Sequence, residues 1–188
     1  MRLFIAIDIN EEIKNSLGRL QKQIQKQVDI RKGAVKWVNT ENIHLTLKFL
    51  GEVKDENVTS LCDIVKDVAG RFENFDLDIE KLGCFGGKSA RVLWVGTGVG
   101  SEGLCELANE LEEHLAQAGW PKENRKYAGH LTVCRIKNTK AGFELANICR
   151  DFEDFMAGTV AVDSVKVYQS QLTPTGPIYT VIGNFKLQ

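Results

Sequence analysis

No stretch of the chain is apolar for long enough to cross a bilayer. The opening Met1-Arg2-Leu3-Phe4-Ile5-Ala6-Ile7 is apolar but brief, and Asp8 and Glu11 follow it. That predicts a buried strand, not an export signal. Cys62, Cys84, Cys105, Cys134 and Cys149 form no close pair, are odd in number and lack the spacing of a zinc site. Reduced thiols and a cytoplasmic location are the expectation. An excess of one charge is missing too: 24 basic and 25 acidic residues leave a net charge of -1, so the molecule as a whole does not draw in polyanions. The exception is local. Between Trp120 and Lys140 stand Lys122, Arg125, Lys126, Arg135, Lys137 and Lys140 against Glu123 alone, enough to hold a phosphate. Linkers and low-complexity segments are absent, so residues 1–188 are expected to form a single two-lobed domain. No heptad or apolar stripe argues for obligate assembly, and a monomer is expected.

What is present is a mixture of strands and amphipathic helices. Arg2–Asp8 reads as a strand, and Asn10 as the N-cap of a helix with Glu11 and Glu12 in its first turn. Ile13, Leu17, Leu20, Ile24 and Val28 give that helix its apolar face. Strands follow at Val35–Val38 and Ile43–Leu50, the second closed by Gly51, and then a helix on Val58, Leu61, Val65 and Val68. Phe75–Leu82 alternates apolar with acidic residues, as a half-buried antiparallel strand does. Gly83–Ser89 reads as a glycine-rich loop and Arg91–Val95 as a strand. Leu104, Leu107, Leu111 and Leu115 mark a helix that Gly119 and Pro121 end. His130–Ile136 is a strand and Phe143–Phe152 a short helix. Val160–Tyr168 and Ile178–Phe185 are strands separated by a turn at residues 173–177. This order predicts an α+β fold with antiparallel sheets.

A repeat runs through the pattern. Each half holds a long amphipathic helix and then a strand that begins His-Leu-Thr, at His44-Leu45-Thr46 and His130-Leu131-Thr132. Two related lobes facing each other are the expectation. On a strand, residues i and i+2 share a face, so His44 pairs with Thr46 and His130 with Thr132, while the intervening leucines turn to the core. Phosphodiester cleavage needs such a set. One imidazole takes a proton from the attacking oxygen, and the other protonates the leaving oxygen. The hydroxyls of Thr46 and Thr132 hydrogen-bond the non-bridging oxygens as charge builds there. Neither a metal nor a cofactor is required. By alternation Lys48 shares the face of His44 and Thr46 and is a candidate to contact further phosphates. Phe49, Trp37 and Tyr127 are candidates to stack a base. Alternation also puts Cys134 on the face of His130 and Arg135 on the opposite one, unless a bulge intervenes.

These motifs resemble the two-histidine phosphoesterase superfamily, and within it the bacterial and archaeal RNA 2′,3′-cyclic phosphodiesterases, also named 2′-5′ RNA ligases. The similarity extends over Arg2-Leu3-Phe4-Ile5-Ala6-Ile7, Trp37-Val38, His44–Gly51, Arg91–Gly96, Arg125-Lys126-Tyr127, His130–Arg135, Tyr168-Gln169-Ser170 and Tyr179. Gly129 departs from it, standing where relatives usually carry proline, and predicts a looser approach to the second motif. The resemblance implies two pseudo-symmetric lobes with the cleft between their sheets. It implies water opening a terminal ribonucleoside 2′,3′-cyclic phosphate to a 2′-phosphate, with 2′-5′ joining as the reverse type of reaction. RNA ends, including those of tRNA fragments, would be the substrates. His130 would be the base, His44 the acid, and Arg135 a phosphate ligand. The two motifs are nearly alike in sequence and do not by themselves set the direction.

Other readings compete. Gly98-x-Gly100-x-x-Gly103 follows a strand and opens a helix, with Glu123 about twenty residues beyond, and so imitates a dinucleotide fingerprint. Glu123 lies in a basic loop, however, not at the end of a second parallel strand. A non-catalytic module that holds RNA ends would not need both His-Leu-Thr pairs intact. A metal hydrolase built on the three histidines, His114 included, lacks partner ligands at the required spacing.

Overall fold

The computed structural model describes residues 1–174 and 176–188; Thr175, in the expected turn at 173–177, lies outside them. The chain begins with β1 (Arg2–Ile7) and α1 (Glu11–Gln27). Asn10 caps α1 as expected, its side-chain oxygen accepting from the Ile13 amide at 2.9 Å. Ile13, Leu17, Leu20 and Ile24 form the buried stripe. There follow β2 (Val35–Trp37), β3 (Leu45–Glu52), α2 (Val58–Ala69), β4 (Phe75–Phe85), β5 (Val92–Thr97), α3 (Ser101–Gln117) and β6 (His130–Ile136). Then come α4 (Thr139–Ile148), β7 (Met156–Val162), β8 (Ser164–Thr173) and β9 (Gly176–Lys186).

The strands make two sheets, ordered β3-β1-β8-β9 and β2-β6-β5-β4-β7, with antiparallel neighbours throughout. The α+β fold read from the sequence is therefore the observed one. The repeat is visible as strand, 17-residue helix, His-Leu-Thr strand, in β1-α1-β3 and again in β5-α3-β6. In both, the two strands pair directly with each other. The halves of the sequence do not, however, map onto the two sheets. β2 and β4 from the first half join the second sheet, and β8 and β9 return to the first. One main cluster of buried residues runs through both, from Leu3, Ile5 and Ile7 to Leu93, Leu131 and Val133. A small second cluster lies on the other face of the first sheet: Phe4, Ala6 and Tyr168, with Tyr179 against them.

Three local expectations need correction. Gly83 and Cys84 belong to β4 and not to a loop, because the Trp94 ring of β5 lies flat over Gly83, where any Cβ would sit 2.3 Å from it. The expected strand 160–168 is two strands. Val162 pairs with Phe75 and Ser164 with Lys186, so the chain changes sheet at Asp163. Helix α4 starts earlier than Phe143, since the Asn138 side chain accepts from the Ala141 amide at 3.1 Å. Gly129 is closely packed against its neighbours. The space a Cβ would take is filled by Leu104, 2.5 Å away, and by Thr97.

The glycines of the dinucleotide look-alike have a packing role. Gly98 donates to the Asp78 carbonyl and Val99 accepts from the Asp78 amide, both at 2.9 Å, which seals the turn onto β4. Gly100 has φ +86° and approaches Asp76 so closely that a Cβ would lie 2.1 Å from its carbonyl oxygen. Among the described residues no helix is long and apolar enough to cross a membrane. Gly100→Ala combines a left-handed backbone with a backbone clash and is expected to cost roughly 2 kcal/mol or more in urea unfolding. A loss near zero would mean that this turn relaxes freely.

Candidate active site

His44 stands immediately before β3, an edge strand of the first sheet. Its Nδ1 is 2.9 Å from the Asn42 carbonyl oxygen, which can only accept, so Nδ1 carries the proton and Nε2 is the basic nitrogen. The ring stacks on Phe4, with centroids 4.6 Å apart, and Tyr179 meets it edge-on at 5.1 Å. Phe4 stacks in turn on Tyr168 at 5.2 Å. The Tyr168 hydroxyl donates to Asp8, which is also bonded to Lys166. Burial against these rings pushes the His44 imidazolium to a pKa below the usual histidine value. The Asn42 carbonyl and the more distant Asp8 charge pull it part of the way back.

His130 opens β6 and repeats the arrangement: its Nδ1 donates to the Ala128 carbonyl, two residues back, at 2.8 Å. Different rings surround it. Phe85 of β4 meets it edge-on at 5.1 Å and Trp94 of β5 lies at 6.3 Å. Thr46 and Thr132 are half-buried beside their histidines. Neither hydroxyl has a protein hydrogen-bond partner among the described residues, which leaves both able to donate to a ligand.

Beyond each threonine the strand bulges. In β3, Thr46 pairs with Ala6 and Lys48 with Ile5, so Leu47 is an extra residue. In β6, Thr132 pairs with Trp94 and Cys134 with Leu93, so Val133 is extra. A bulge reverses the alternation that follows it. Lys48 therefore turns inward, against expectation. It is 4% exposed, bonded to Glu112 at 2.6 Å and to the Pro121 carbonyl at 3.0 Å, and is not at the phosphate face. Cys134 is likewise fully buried, and burial pushes its thiol up to about 12. The same reversal brings Phe49, 61% exposed, and Arg135 onto the faces of the two histidines. The carbonyl of the extra Val133 is not left unpaired. It accepts from the Val38 amide at 3.0 Å and from the buried Gln21 side chain at 3.1 Å.

Several contacts bring the two histidine strands together. The Tyr127 hydroxyl, three residues before His130, donates to the Thr46 carbonyl at 3.0 Å. Its ring packs on the main core, so Tyr127 is a strut between the strands and not the free stacking surface expected of it. Trp37 also packs on the core and pairs with Cys134 through β2. Asn42 donates to the Pro177 carbonyl at 3.3 Å, tying the approach to β3 to the start of β9. Arg135 acts electrostatically on Tyr179, the ring that touches His44. His114 is elsewhere, engaged with Arg71 at 2.8 Å and Glu110 at 3.5 Å. Among the described residues no group of three or more His, Cys, Asp or Glu is placed to hold a metal ion. The aromatic surround of His44 was hidden in the sequence, because β1 is apolar on both faces and gives no sign that Phe4 faces away from Leu3 and Ile5.

Comparison with known proteins fits this geometry. The sequence model described as LigT like Phosphoesterase matches residues 7–94 and 98–179. A Thermotoga maritima protein named RNA 2′,3′-cyclic phosphodiesterase is 38% identical over 97% of this chain and 93% of its own. One of the same name from Methanocaldococcus jannaschii is 34% identical over 97% and 98%. Among solved structures, a phosphoesterase superposes with a TM-score of 0.81 at 28% identity, covering 100% of this chain and 98% of that one. E. coli LigT complexed with 3′-AMP superposes with a TM-score of 0.78, also at 28% identity and with the same coverage.

Three measurements probe the site. The His44 ring, followed by NMR, is expected to titrate below the ordinary histidine range, and Asp8→Asn to move it further to acid because a stabilising negative charge is lost. A shift toward alkaline pH in that variant would contradict the electrostatic assignment. Lys48→Met leaves Glu112 without its buried partner and is expected to cost about 2–4 kcal/mol in urea unfolding with little change in substrate affinity. The reverse pattern would return Lys48 to the phosphate face. Gln21→Leu removes one of two donors to the Val133 carbonyl, and a loss of about 1–3 kcal/mol is the expected reading from thermal unfolding.

Proposed function

The chain belongs to the LigT-like phosphoesterase family, and from that membership and the paired His-Leu-Thr strands we propose that it hydrolyses terminal 2′,3′-cyclic phosphates of RNA. The observation that carries this reading is the doubled site. Each lobe offers one imidazole with its Nδ1 proton fixed on a main-chain carbonyl, one unpartnered threonine hydroxyl, and one exposed residue delivered by a bulge. In the proposed reaction His130 Nε2 takes a proton from water as the water oxygen bonds to phosphorus. The bond from phosphorus to the 3′ oxygen breaks, and His44 Nε2 gives that oxygen its proton, leaving a 2′-phosphate. Thr46, Thr132 and Arg135 hold the non-bridging oxygens while charge accumulates on them. Proton transfer and charge stabilisation are both supplied by side chains, so the reaction is proposed to proceed without a metal. The same groups run in reverse would join RNA ends by a 2′-5′ bond. Phe49 would stack the terminal base. The protein would act as a monomeric two-lobed domain in the cytoplasm, on ends such as those of tRNA fragments.

One observation favours the opposite assignment of the histidines. Burial favours neutral His44, and the base must start neutral. A cyclic phosphorothiolate with sulfur in place of the 3′ oxygen separates the two, since a thiolate leaves without a proton. If His44 is the acid, this substrate restores turnover to His44→Ala and not to His130→Ala; the opposite rescue exchanges the roles.

The first assay is hydrolysis of a short RNA ending in a 2′,3′-cyclic phosphate, with EDTA present. Release of a 2′-phosphate end is expected, falling by roughly a hundredfold or more in His44→Ala and in His130→Ala. No turnover would leave a module that holds RNA ends without processing them, and turnover indifferent to both substitutions would overturn the two-histidine mechanism.

A further inference from the structure

The two histidines and two threonines account for one phosphate. The first sheet carries a second set of groups suited to an anion. Along β1, Leu3, Ile5 and Ile7 face the main core, so Arg2, Phe4 and Ala6 face the histidine side. Ladder positions on that side fall into rows across the sheet. Phe4 is opposite Tyr168, and Tyr168 is opposite Val181. Continued two residues outward from Phe4, the β1–β8 register brings Arg2 level with Ser170, and Ser170 is opposite Tyr179. Arg2, Ser170 and Tyr179 thus stand side by side on adjacent strands, at the end of the sheet away from Ala6 and Thr46.

The charges in this row are unbalanced. Arg2 of the first sheet and Arg135 of the second both act electrostatically on Tyr179, opposing the rise in its pKa that burial causes. Neither forms an ion pair among the described residues. Glu52 lies opposite Arg2 in the ladder, but its carboxylate is 3.7 Å from the Met1 nitrogen. Two unpaired cations near one hydroxyl repel each other unless an anion lies between them.

That anion is distinct from the reacting phosphate. Arg2 is four residues from Ala6, the partner of Thr46, and this spans roughly 13 Å of strand. That is longer than an extended arginine side chain. Tyr179 fills the interval, with its ring on His44.

We propose that Arg2, Ser170 and Tyr179 form a second phosphate subsite, which holds the 5′ phosphate of the terminal nucleotide, the phosphodiester that joins it to the rest of the RNA. This rests on the reading of the histidine pair as the place of the cyclic phosphate. It gives the site a way to prefer a chain end over a free nucleoside cyclic phosphate. Arg2 supplies the charge, and the serine and tyrosine hydroxyls supply directional donors.

The test compares kcat/KM for a nucleoside 2′,3′-cyclic phosphate with and without a 5′-phosphate. The wild-type protein is expected to favour the 5′-phosphorylated form. Arg2→Gln is expected to reduce that preference by about tenfold, the loss of one charge-assisted hydrogen bond, and Arg2→Lys to restore part of it. The salt dependence for the 5′-phosphorylated substrate should become shallower by about one ion in Arg2→Gln. Equal losses on both substrates would assign Arg2 to the reacting phosphate and overturn the subsite, as would a wild-type protein indifferent to the 5′-phosphate. If no cyclic phosphate is turned over, the hydrolase reading fails separately. Calorimetric binding of a nucleoside 2′,5′-bisphosphate against the 2′-monophosphate then decides the subsite. Arg2→Gln must remove the advantage of the bisphosphate, and an unchanged advantage overturns the proposal.

Discussion

A β-bulge adds a residue to one strand without adding one to its neighbour, so every side chain beyond it faces the other way. Both histidine strands carry a bulge at the same place, after the threonine, and the composition of the site depends on it. Without the extra Leu47, Lys48 would face the cleft and Phe49 would be buried. Without the extra Val133, Cys134 would occupy the position of Arg135. The bulges have different supports. In β6, Gln21 and Val38 satisfy the displaced Val133 carbonyl. In β3, the inward-turned Lys48 has Glu112 and the Pro121 carbonyl as partners. Each support is a buried polar contact, and such contacts tolerate little displacement because an unmet group is costly. The strands are thereby held in one register.

Two motifs of nearly the same sequence become unequal through what the sheets bring to them. Both imidazoles have Nδ1 on the carbonyl two residues back, so the tautomer is set locally and identically. The rings around them are not local. His44 is enclosed by Phe4 of β1 and Tyr179 of β9, with Tyr168 behind. His130 meets Phe85 and Trp94 and is the less enclosed of the two. The acid–base pair proposed for the site needs two unlike surroundings, because one group must start protonated and the other neutral.

The features legible in the sequence were those carried by short-range patterns. The cap at Asn10, the stripes of α1 and α3, and the shared face of histidine and threonine each follow from a fixed period. Those that depend on a partner strand were not legible. A bulge leaves no mark in the residues that form it, so Lys48 was placed by an alternation that β3 breaks. Gly83 reads as a turn residue because glycine usually is one; only the Trp94 ring across the ladder explains it as strand. The change of sheet at Asp163 divides a valine-rich stretch that Asp163, Ser164 and Lys166 interrupt but no glycine or proline punctuates. The exchange of β2, β4, β8 and β9 between sheets is a matter of topology, and strand pattern alone does not express it.

That exchange bears on how the site is kept in shape. Two lobes joined by a hinge could each fold correctly and still hold their histidines at a variable separation, whereas proton transfer demands positions fixed to a fraction of an ångström. Here the surroundings of each histidine include strands from the other half of the sequence: β8 and β9 around His44, and β4 beside His130. Tyr127, from the segment leading into β6, reaches the Thr46 carbonyl of β3. Separating the histidines would therefore break the Tyr127 hydrogen bond and the apolar contacts between the sheets, and separating the sequence halves would break ladder bonds within each sheet as well. A swapped topology costs the chain longer-range closure on folding, and what it returns is two sheets joined by several chain crossings and by one shared core.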